Sequence, residues 1–186
     1  MSTEFHIILN KYWGFNSFRG SQEKIIKNIF SNKDTLALLP TGGGKSICYQ
    51  VPALAKEGLC IVISPLIALM TDQVNNLKKK NINAECIHSN HSKKEIDRIL
   101  DNCIYGNVKL LYLSPERLKT TLFKERFKKM KVSFIAIDEA HCISQWGYDF
   151  RPSYLEIAEL RTVNPEIPFI ALTATATPNV CSDIQN

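Results

Sequence analysis

The sequence lacks the patterns that would assign it to a membrane, a secreted scaffold or a zinc module. It has no apolar run near the roughly 20 residues that span a bilayer, and its start, MSTEFH, has no basic region leading into an apolar signal stretch. Its six cysteines include no C-x-x-C pair, which favours buried or idle thiols over a zinc site. Internal repeats and low-complexity tracts are also absent. These absences predict a cytoplasmic protein without a membrane partner.

The composition is that of an ordinary folded domain. Hydrophobic residues make up 45% of the 186 positions, which is enough for a full core, and the length matches one domain or slightly more. The formal net charge of +5 leans towards polyanionic partners, but many unrelated domains share such a charge. Charge alone therefore does not identify a nucleic-acid-binding protein.

Apolar runs rich in β-branched residues alternate with longer stretches of helical spacing. The runs predict strands at 35–39, 60–64, 84–88, 110–114, 134–138 and 169–173. Helices are predicted between them, at 45–56, 67–80, 93–105 and 154–160. Strands that are apolar on both faces indicate a sheet covered by helices on both sides. The pattern therefore predicts a doubly wound α/β fold with a mainly parallel sheet.

The two ends of the chain carry further helical patterns. Segments 5–12 and 22–30 have apolar residues at helical spacing, which predicts an N-terminal helical segment over residues 1–32 and an α/β domain over residues 33–186. Near the other end, Thr177 suits an N-cap and Pro178 suits the first helical position, yet only eight residues follow that proline. We therefore expect the chain to be one domain of a longer protein.

A glycine-rich loop, PTGGGKS at 40–46, follows the first predicted strand and opens a helix, as a phosphate-binding loop does. Glycines let backbone N–H groups point at phosphate oxygens without obstruction. In such a loop Lys45 would contact the β- and γ-phosphates of ATP, and the Ser46 hydroxyl would bind Mg²⁺. Leu39 stands where the strict pattern has its first glycine, so a glycine-rich turn without a ligand is the alternative. The residues predicted to contact the nucleotide here are Thr41, Gly42, Gly43, Gly44, Lys45 and Ser46.

The acidic pair Asp138 and Glu139 stands at the end of the fifth predicted strand. In a parallel sheet Asp138 would lie at the same edge as the phosphate loop, and so close to the metal. We expect Asp138 to hold Mg²⁺ through its water shell and Glu139 to act as general base on the attacking water, while Lys45 counters charge on the phosphoryl group. An acidic pair at a strand end is by itself a common surface feature, so this interpretation depends on the phosphate loop upstream.

Three motifs together resemble the N-terminal RecA-like motor domain of RecQ-type superfamily 2 DNA helicases. They are PTGGGKS at 40–46, DEAHCISQWG at 138–147 and ALTATAT at 171–177, and the resemblance covers nearly the whole chain. It implies an ATP-dependent 3′-to-5′ DNA helicase that uses ATP and Mg²⁺ and binds single-stranded and duplex DNA. It also implies a second motor domain elsewhere in the full-length chain, which commonly supplies an arginine to the phosphates, so the isolated domain should have little activity. We expect a monomer.

The loop from Cys142 to Arg151 resembles the aromatic-rich loop of RecQ helicases. Trp146, Phe150 and Arg151 would contact single-stranded DNA, because aromatic stacking accepts any base. The alternative is that the two aromatics pack over the sheet. Tyr148 departs from the family, where histidine is usual. Further residues that the resemblance assigns to nucleic-acid contact and coupling are His141, Gln145, Thr173 and Thr175.

The segment from Trp13 to Gln22 resembles the family's adenine-recognition motif. The amide of Gln22 offers a donor and an acceptor that match adenine N6 and N7, and Arg19 could cover the ring. Gly20-Ser21 replaces the family's common Pro-Gly at unchanged spacing. A helix N-terminus packed on the core is the alternative interpretation.

Two serine-proline turns follow the second and fourth predicted strands. The resemblance assigns such segments to the sugar-phosphate backbone, where Ser64 and Arg117 could bind phosphate without reading sequence. Tight turns that end strands and cap helices explain the same residues. Basic runs at 78–80 and 124–131 would form a duplex-binding patch only if they converge, and are otherwise solvated helix faces.

Two rival functions stay open from the sequence. An RNA helicase or a DNA translocase would use the same core, and stimulation by single-stranded DNA compared with RNA would separate them. A non-catalytic ATP- or nucleic-acid-binding module belongs to another class. The intact Lys45, Ser46 and acidic pair argue against that module.

Overall fold

The centre of the fold is a six-stranded sheet in which every pair of neighbouring strands is parallel. The computed structural model describes residues 2–147 and 149–186, so Tyr148, the departure noted in the aromatic-rich loop, lies outside the described residues. The strands are β1 (Thr35–Leu38), β2 (Leu59–Ile63), β3 (Ala84–Ile87), β4 (Leu110–Leu113), β5 (Val132–Ile137) and β6 (Phe169–Thr173). Their order across the sheet is β1-β6-β5-β2-β4-β3. The prediction of a doubly wound, mainly parallel α/β fold is confirmed.

Helices connect the strands on both sides of the sheet. They are α1 (Ser2–Trp13), α2 (Gln22–Phe30), α3 (Ile47–Ala55), α4 (Ile67–Lys79), α5 (Lys93–Tyr105), α6 (Thr121–Phe127), α7 (Ile157–Val163) and α8 (Pro178–Gln185). Three short 3₁₀ helices occupy Pro115–Lys119, Ala140–Ile143 and Pro152–Glu156. In the part of the chain that is described, no helix is long and apolar enough to cross a membrane.

Two elements differ from the sequence prediction. The predicted helix at 154–160 is a 3₁₀ helix that leads into α7, because Pro152 starts a tighter turn ahead of it. Helix α6 is not among the helices predicted from apolar spacing, since its lysine and arginine indicate only part of a basic run or a solvated helix face. Its start is capped by the Thr120 hydroxyl, which accepts from Phe123 N, and its apolar face is the stacked pair of Phe123 and Phe127.

The core has two layers because side chains alternate along each buried strand. In β2, Ile61 and Ile63 face the layer formed with α5, α6 and α7, whereas Cys60 and Val62 face the layer formed with α2, α3 and α4. All six cysteines are free thiols and five are buried, so they pack as small apolar groups. Burial raises the pKa of Cys48 and of Cys103 to about 12.

The N-terminal helices pack on the helix that follows the glycine-rich loop. Phe5 and Leu9 of α1 and Ile26 of α2 form a cluster with Ile47 and Val51 of α3. The ring of Phe5 meets Phe30 edge to face with centroids 5.0 Å apart. Helices α1 and α2 thus contribute the layer that supports α3 from outside.

The two basic clusters lie on opposite faces of the sheet, because α4 packs on one core layer and α6 on the other. Four of their side chains pair with acids of neighbouring elements, in the pairs Lys78–Glu85, Lys124–Glu159, Arg126–Asp97, Arg126–Asp101 and Lys131–Glu57. Because these cations already have partners, the placement favours solvated helix faces over a duplex-binding patch.

The packing of α1 predicts the effect of two substitutions in the same helix. Phe5 is 0% exposed and Ile7 is 61% exposed. Phe5→Ala should lower the free energy of unfolding by about 3 kcal/mol, since it leaves a cavity against Phe30 and α3. Ile7→Ala should change it by less than about 0.5 kcal/mol. Urea unfolding followed by circular dichroism measures both, and equal effects would mean that α1 does not pack as described.

Candidate active site

The glycine-rich loop leaves the end of β1 at the carboxyl edge of the sheet. Leu39 N donates to Thr173 O at 3.1 Å, which fixes the start of the loop to the end of β6. The loop turns tightly, because Gly43 N donates to Pro40 O at 2.8 Å, and a Cβ at Gly43 would lie 2.8 Å from that same oxygen. Gly44 has a φ of +73°, a left-handed conformation that favours glycine. Ser46 then precedes α3, so the loop has the geometry expected of a phosphate cradle.

Gln22 is buried against this loop. Its Nε2 donates to Gly43 O at 3.1 Å and to Gly44 O at 3.2 Å, and its Oε1 accepts from Arg19 N at 2.9 Å. The Arg19 guanidinium lies 5.5 Å from the centre of the Phe15 ring. The two segments predicted to bind nucleotide are therefore in direct contact. Adenine recognition by Gln22 stays a prediction, and the contact with the loop was not foreseen from the sequence.

Four side chains form a chain of polar contacts beside the loop. Lys45 Nζ lies 3.3 Å from Glu139 Oε1, and His141 Nδ1 lies 3.3 Å from Glu139 Oε2. The same His141 Nδ1 lies 2.9 Å from Thr173 Oγ1. Thr173 Oγ1 also donates to Thr175 O at 3.1 Å, which extends the chain of contacts into the ALTATAT segment. The phosphate loop, the acidic pair and the ALTATAT segment are thereby joined, as the resemblance implies.

Glu139 has a backbone conformation that is unusual for its residue type. Its φ of 49° and ψ of 48° place it in the left-handed region. This turn reverses the chain directly after β5 and directs the Glu139 carboxylate towards Lys45, while the Tyr154 hydroxyl donates to Asp138 O at 2.9 Å and braces the turn. A non-glycine residue in this region costs about 1–2 kcal/mol, and such strain clusters at functional sites.

Asp138 is a buried carboxyl group. Burial raises its pKa to about 6, and the neighbouring Glu139 adds to the rise, whereas Lys45, the Glu139 N–H and the Ser64 hydroxyl oppose it. The Asp138 Oδ1 accepts from Glu139 N at 3.1 Å. A carboxyl with this pKa is charged at neutral pH, but burial makes the charged form energetically unfavourable. A bound cation would offset that unfavourable energy.

Ser64 does not lie where the prediction of a DNA contact requires. Ile63 and Ile137 are register partners, so the next residues, Ser64 and Asp138, are neighbours at the strand ends. Ser64 is 2% exposed, and its hydroxyl has no hydrogen-bond partner within the described residues. Its side chain therefore faces the acidic pair and not the surface. Arg117, the other predicted phosphate contact, is half-buried in the 3₁₀ helix at Pro115–Lys119.

The oxygen atoms at this edge of the sheet suit a magnesium ion. The Ser46 hydroxyl and the Asp138 carboxylate are hard oxygen ligands of the kind that Mg²⁺ prefers, and the buried Ser64 hydroxyl without a partner adds a third polar group. The loop glycines leave room for phosphate oxygens. The residues present therefore fit ATP and Mg²⁺.

The aromatic-rich loop presents Trp146 to solvent from a fixed backbone. Ser144 Oγ accepts from Trp146 N at 3.1 Å and donates to Asp183 Oδ2 at 2.6 Å, which ties the loop to α8. Trp146 is 71% exposed, so the alternative in which it packs over the sheet is wrong. Gln145 is also exposed and Phe150 is half-buried. No pattern in the sequence indicated the contact between Ser144 and Asp183, which are 39 positions apart.

Arg151 is engaged within the protein. Its Nε and Nη2 donate to Asp149 Oδ2 at 3.1 and 3.0 Å, and its Nη1 donates to Pro65 O at 3.2 Å. Its backbone N donates to Cys142 O at 2.8 Å. Arg151 therefore fastens the aromatic-rich loop to the turn after β2, so any contact with DNA would compete with these bonds.

Comparisons with known proteins agree with the motifs. Residues 19–184 match the family model described as DEAD/DEAH box helicase. The chain is 48% identical over 177 residues to the ATP-dependent DNA helicase RecQ of Pasteurella multocida, and the match covers 95% of this chain and 28% of that protein. It is 49% identical over 179 residues to the ATP-dependent DNA helicase RecQ of Bacillus subtilis, covering 95% of this chain and 30% of that protein. The chain thus spans less than a third of either relative.

A solved structure supports the fold. The helicase Lhr of Mycobacterium smegmatis, bound to ssDNA and AMP-PNP, is similar with a TM-score of 0.74 and 18% identity, and the match covers 95% of this chain and 25% of that chain. At that identity the similarity concerns the fold alone. The resemblance to RecQ helicases that the motifs indicate is confirmed by the sequence matches.

The raised pKa of Asp138 makes a prediction about stability and pH. Between its ordinary value of 3.8 and about 6, the folded state holds the proton that the unfolded state has lost, so the stability from this group falls as pH rises. The loss is complete above the folded pKa and amounts to about 3 kcal/mol at pH 7.5, but only about 1 kcal/mol at pH 4.5. Asp138→Asn mimics the protonated form. It should raise the melting temperature in EDTA by about 8 °C at pH 7.5 and by less than half of that at pH 4.5.

Differential scanning fluorimetry at the two pH values measures this effect. Asp72→Asn, which changes an exposed aspartate of α4, is the matched control and should leave the melting temperature nearly unchanged at both. An equal rise for Asp138→Asn at pH 4.5 and 7.5 would contradict the raised pKa.

Proposed function

Because this chain belongs to the DEAD/DEAH box helicase family, we propose that it is the ATP-binding motor domain of a RecQ-type DNA helicase. The full-length protein would couple ATP hydrolysis to 3′-to-5′ movement along single-stranded DNA and to unwinding of the duplex. The observation that carries the proposal is the contact chain from Lys45 through Glu139 and His141 to Thr173. The aromatic-rich loop begins at the residue after His141.

The phosphate site divides its work among a few residues. The N–H groups of Thr41, Gly42 and Gly44 would hold the phosphates, since that of Gly43 already donates to Pro40 O. Ser46 and Asp138 would hold Mg²⁺, which when bound neutralises charge on the β- and γ-phosphates. In this arrangement Lys45 pairs with Glu139 at 3.3 Å. Lys45 would turn to the γ-phosphate when ATP binds, which frees the Glu139 carboxylate to take a proton from the attacking water.

The adenine end would follow the same logic. Gln22 would read the base through its amide, and Arg19 would cover the ring. Since the Gln22 amide also holds the carbonyls of Gly43 and Gly44, base recognition would adjust the same loop that binds the phosphates. A base without the donor and acceptor pattern of adenine would not bond to the Gln22 amide, and the conformation of the glycine-rich loop would then stay unchanged.

DNA would meet the domain at the aromatic-rich loop and along the neighbouring turns. The exposed indole of Trp146 offers a stacking surface, with Gln145 and Phe150 beside it. Stacking of a base on Trp146 would displace the aromatic-rich loop. Because Arg151 binds both Asp149 and Pro65 O, the turn after β2 would move with the loop. His141, Thr173 and Thr175 would pass this movement to Glu139, so that hydrolysis depends on DNA.

A second motor domain belongs to the proposal. Phosphoryl transfer in this class commonly needs an arginine supplied from a facing domain. We therefore expect the 186-residue chain alone to bind ATP weakly and to hydrolyse it poorly. The domain would act as a monomer with the second motor domain of the same chain as its partner.

Glu139→Gln tests the catalytic assignment in the full-length protein that carries this domain. The substitution keeps the size of the side chain but removes the base, so ATP hydrolysis should fall at least about 100-fold while affinity for a fluorescent ATP analogue changes little. Glu125→Gln, at an exposed position of α6, is the control and should hydrolyse ATP at the wild-type rate. An unchanged rate in Glu139→Gln would favour a non-catalytic ATP-binding module.

Trp146→Ala tests the assignment of the aromatic-rich loop. Removing the stacking surface should reduce stimulation of the ATPase by single-stranded DNA at least about 10-fold and leave the DNA-free rate unchanged. Tyr105→Ala is the matched control, because Tyr105 is 78% exposed but lies at the far end of α5 from the carboxyl edge. Stronger stimulation of the wild-type ATPase by RNA than by DNA would favour the RNA helicase rival. If both variants respond to DNA like the wild type, the loop is not the sensor.

A further inference from the structure

Ser64 carries a buried hydroxyl without a partner at the centre of the sheet edge. Its backbone N donates to Leu113 O at 3.1 Å, so the residue is held firmly by the end of β4. Its Oγ is buried and forms no hydrogen bond among the described residues. A buried hydroxyl that has lost its hydrogen bonds to water without forming new ones destabilises the folded state. Most buried polar groups in folded proteins therefore have a hydrogen-bond partner.

The neighbour that could provide the partner is Asp138. The register of β2 and β5 pairs Ile63 with Ile137, and Asp138 N donates to Ile63 O at 2.8 Å, so Ser64 and Asp138 leave the sheet side by side. The Ser64 hydroxyl is close enough to lower the pKa of the Asp138 carboxyl, although the geometry falls short of a hydrogen bond. A small rotation of the carboxylate would complete that bond.

We propose that Ser64 is a positioning residue for the divalent cation: its hydroxyl donates to the Asp138 carboxylate when that carboxylate holds the ion. The inference rests on the proposed function and deepens it. Groups that hydrogen-bond a metal ligand fix its orientation, and their loss typically weakens metal binding about 10-fold or more. A direct contact between the Ser64 hydroxyl and DNA would require an exposed side chain, and this one is 2% exposed.

A buried hydroxyl without a partner does not by itself position a cation, and a second serine of this chain provides the control. Ser133 Oγ is likewise buried without a partner among the described residues. It stands near the start of β5, five residues before Asp138 and so about 16 Å away along the strand. Ser133 therefore shares the cost of an unpaired hydroxyl but is remote from the acidic pair.

The test measures cation binding directly. Mn²⁺ replaces Mg²⁺ as the probe, and ADP is used so that no hydrolysis takes place. Electron paramagnetic resonance counts free Mn²⁺ with the chain and one equivalent of ADP, and the Mn²⁺ that the same ADP binds without protein is subtracted. Ser64→Ala should raise the dissociation constant of Mn²⁺ about 10-fold. Ser133→Ala should stay within about twofold of the wild type. Affinity for ADP in EDTA should be the same in all three proteins.

Melting temperatures in EDTA complete the test. Ser133→Ala should melt at or above the wild-type temperature, because it loses an unpaired buried hydroxyl. Ser64→Ala should melt within about 2–3 °C of the wild type, because its hydroxyl only modestly stabilises the Asp138 carboxylate. Equal Mn²⁺ affinity in Ser64→Ala and wild type would overturn the proposal, and so would equal weakening in both variants. A Ser64→Ala protein that melts several degrees lower would also overturn it, since the hydroxyl would then already have a partner. A wild type that binds no Mn²⁺ with ADP would instead refute the proposed function itself.

Discussion

Parallel pairing of β1, β6, β5 and β2 is the constraint on which the site depends. Because parallel strands end at the same edge, four segments distant in sequence arrive together: the glycine-rich loop, Thr173, the acidic pair and Ser64. The hydrogen bonds from Leu39 N to Thr173 O and from Asp138 N to Ile63 O then fix how far each segment extends beyond the edge of the sheet. A slip of one residue in any pair would turn these side chains into the core, so the apolar register and the polar edge stabilise each other.

The polar groups described at this edge form three neighbouring sets of contacts. Lys45 contacts Glu139, which contacts His141, which contacts Thr173. On the other side, Gln22 holds the loop carbonyls and Arg151 holds the turn after β2. A buried or half-buried network of this kind has few alternative arrangements, because each rearrangement must find new partners for every group. Under the proposed function, binding at one end would shift these contacts between a small number of states.

The strand pattern, the glycine-rich loop and the acidic pair could all be predicted from the sequence, because each is a local signal of buried runs and turn residues. The motifs also predicted that the acidic pair lies beside the phosphate loop, since parallel strands leave little choice, and Lys45 indeed contacts Glu139. Contacts between distant polar side chains could not be predicted. The amide of Gln22 lies on the loop carbonyls and Arg151 lies on Pro65 O, and both contacts depend on loop geometry that no periodicity encodes. The burial of Ser64 likewise follows from its position between two strand ends.

Glu139 occupies a backbone position that glycine would fill without strain, at φ 49° and ψ 48°. A chain selected only for folding stability would gain from glycine there, by about 1 kcal/mol. The glutamate kept at this position holds Lys45 and His141 instead. The turn after β5 is thus a point where thermodynamic stability and chemistry favour different amino acids. Screens that rank substitutions by thermal stability would therefore tend to select against the residue that we propose as the catalytic base.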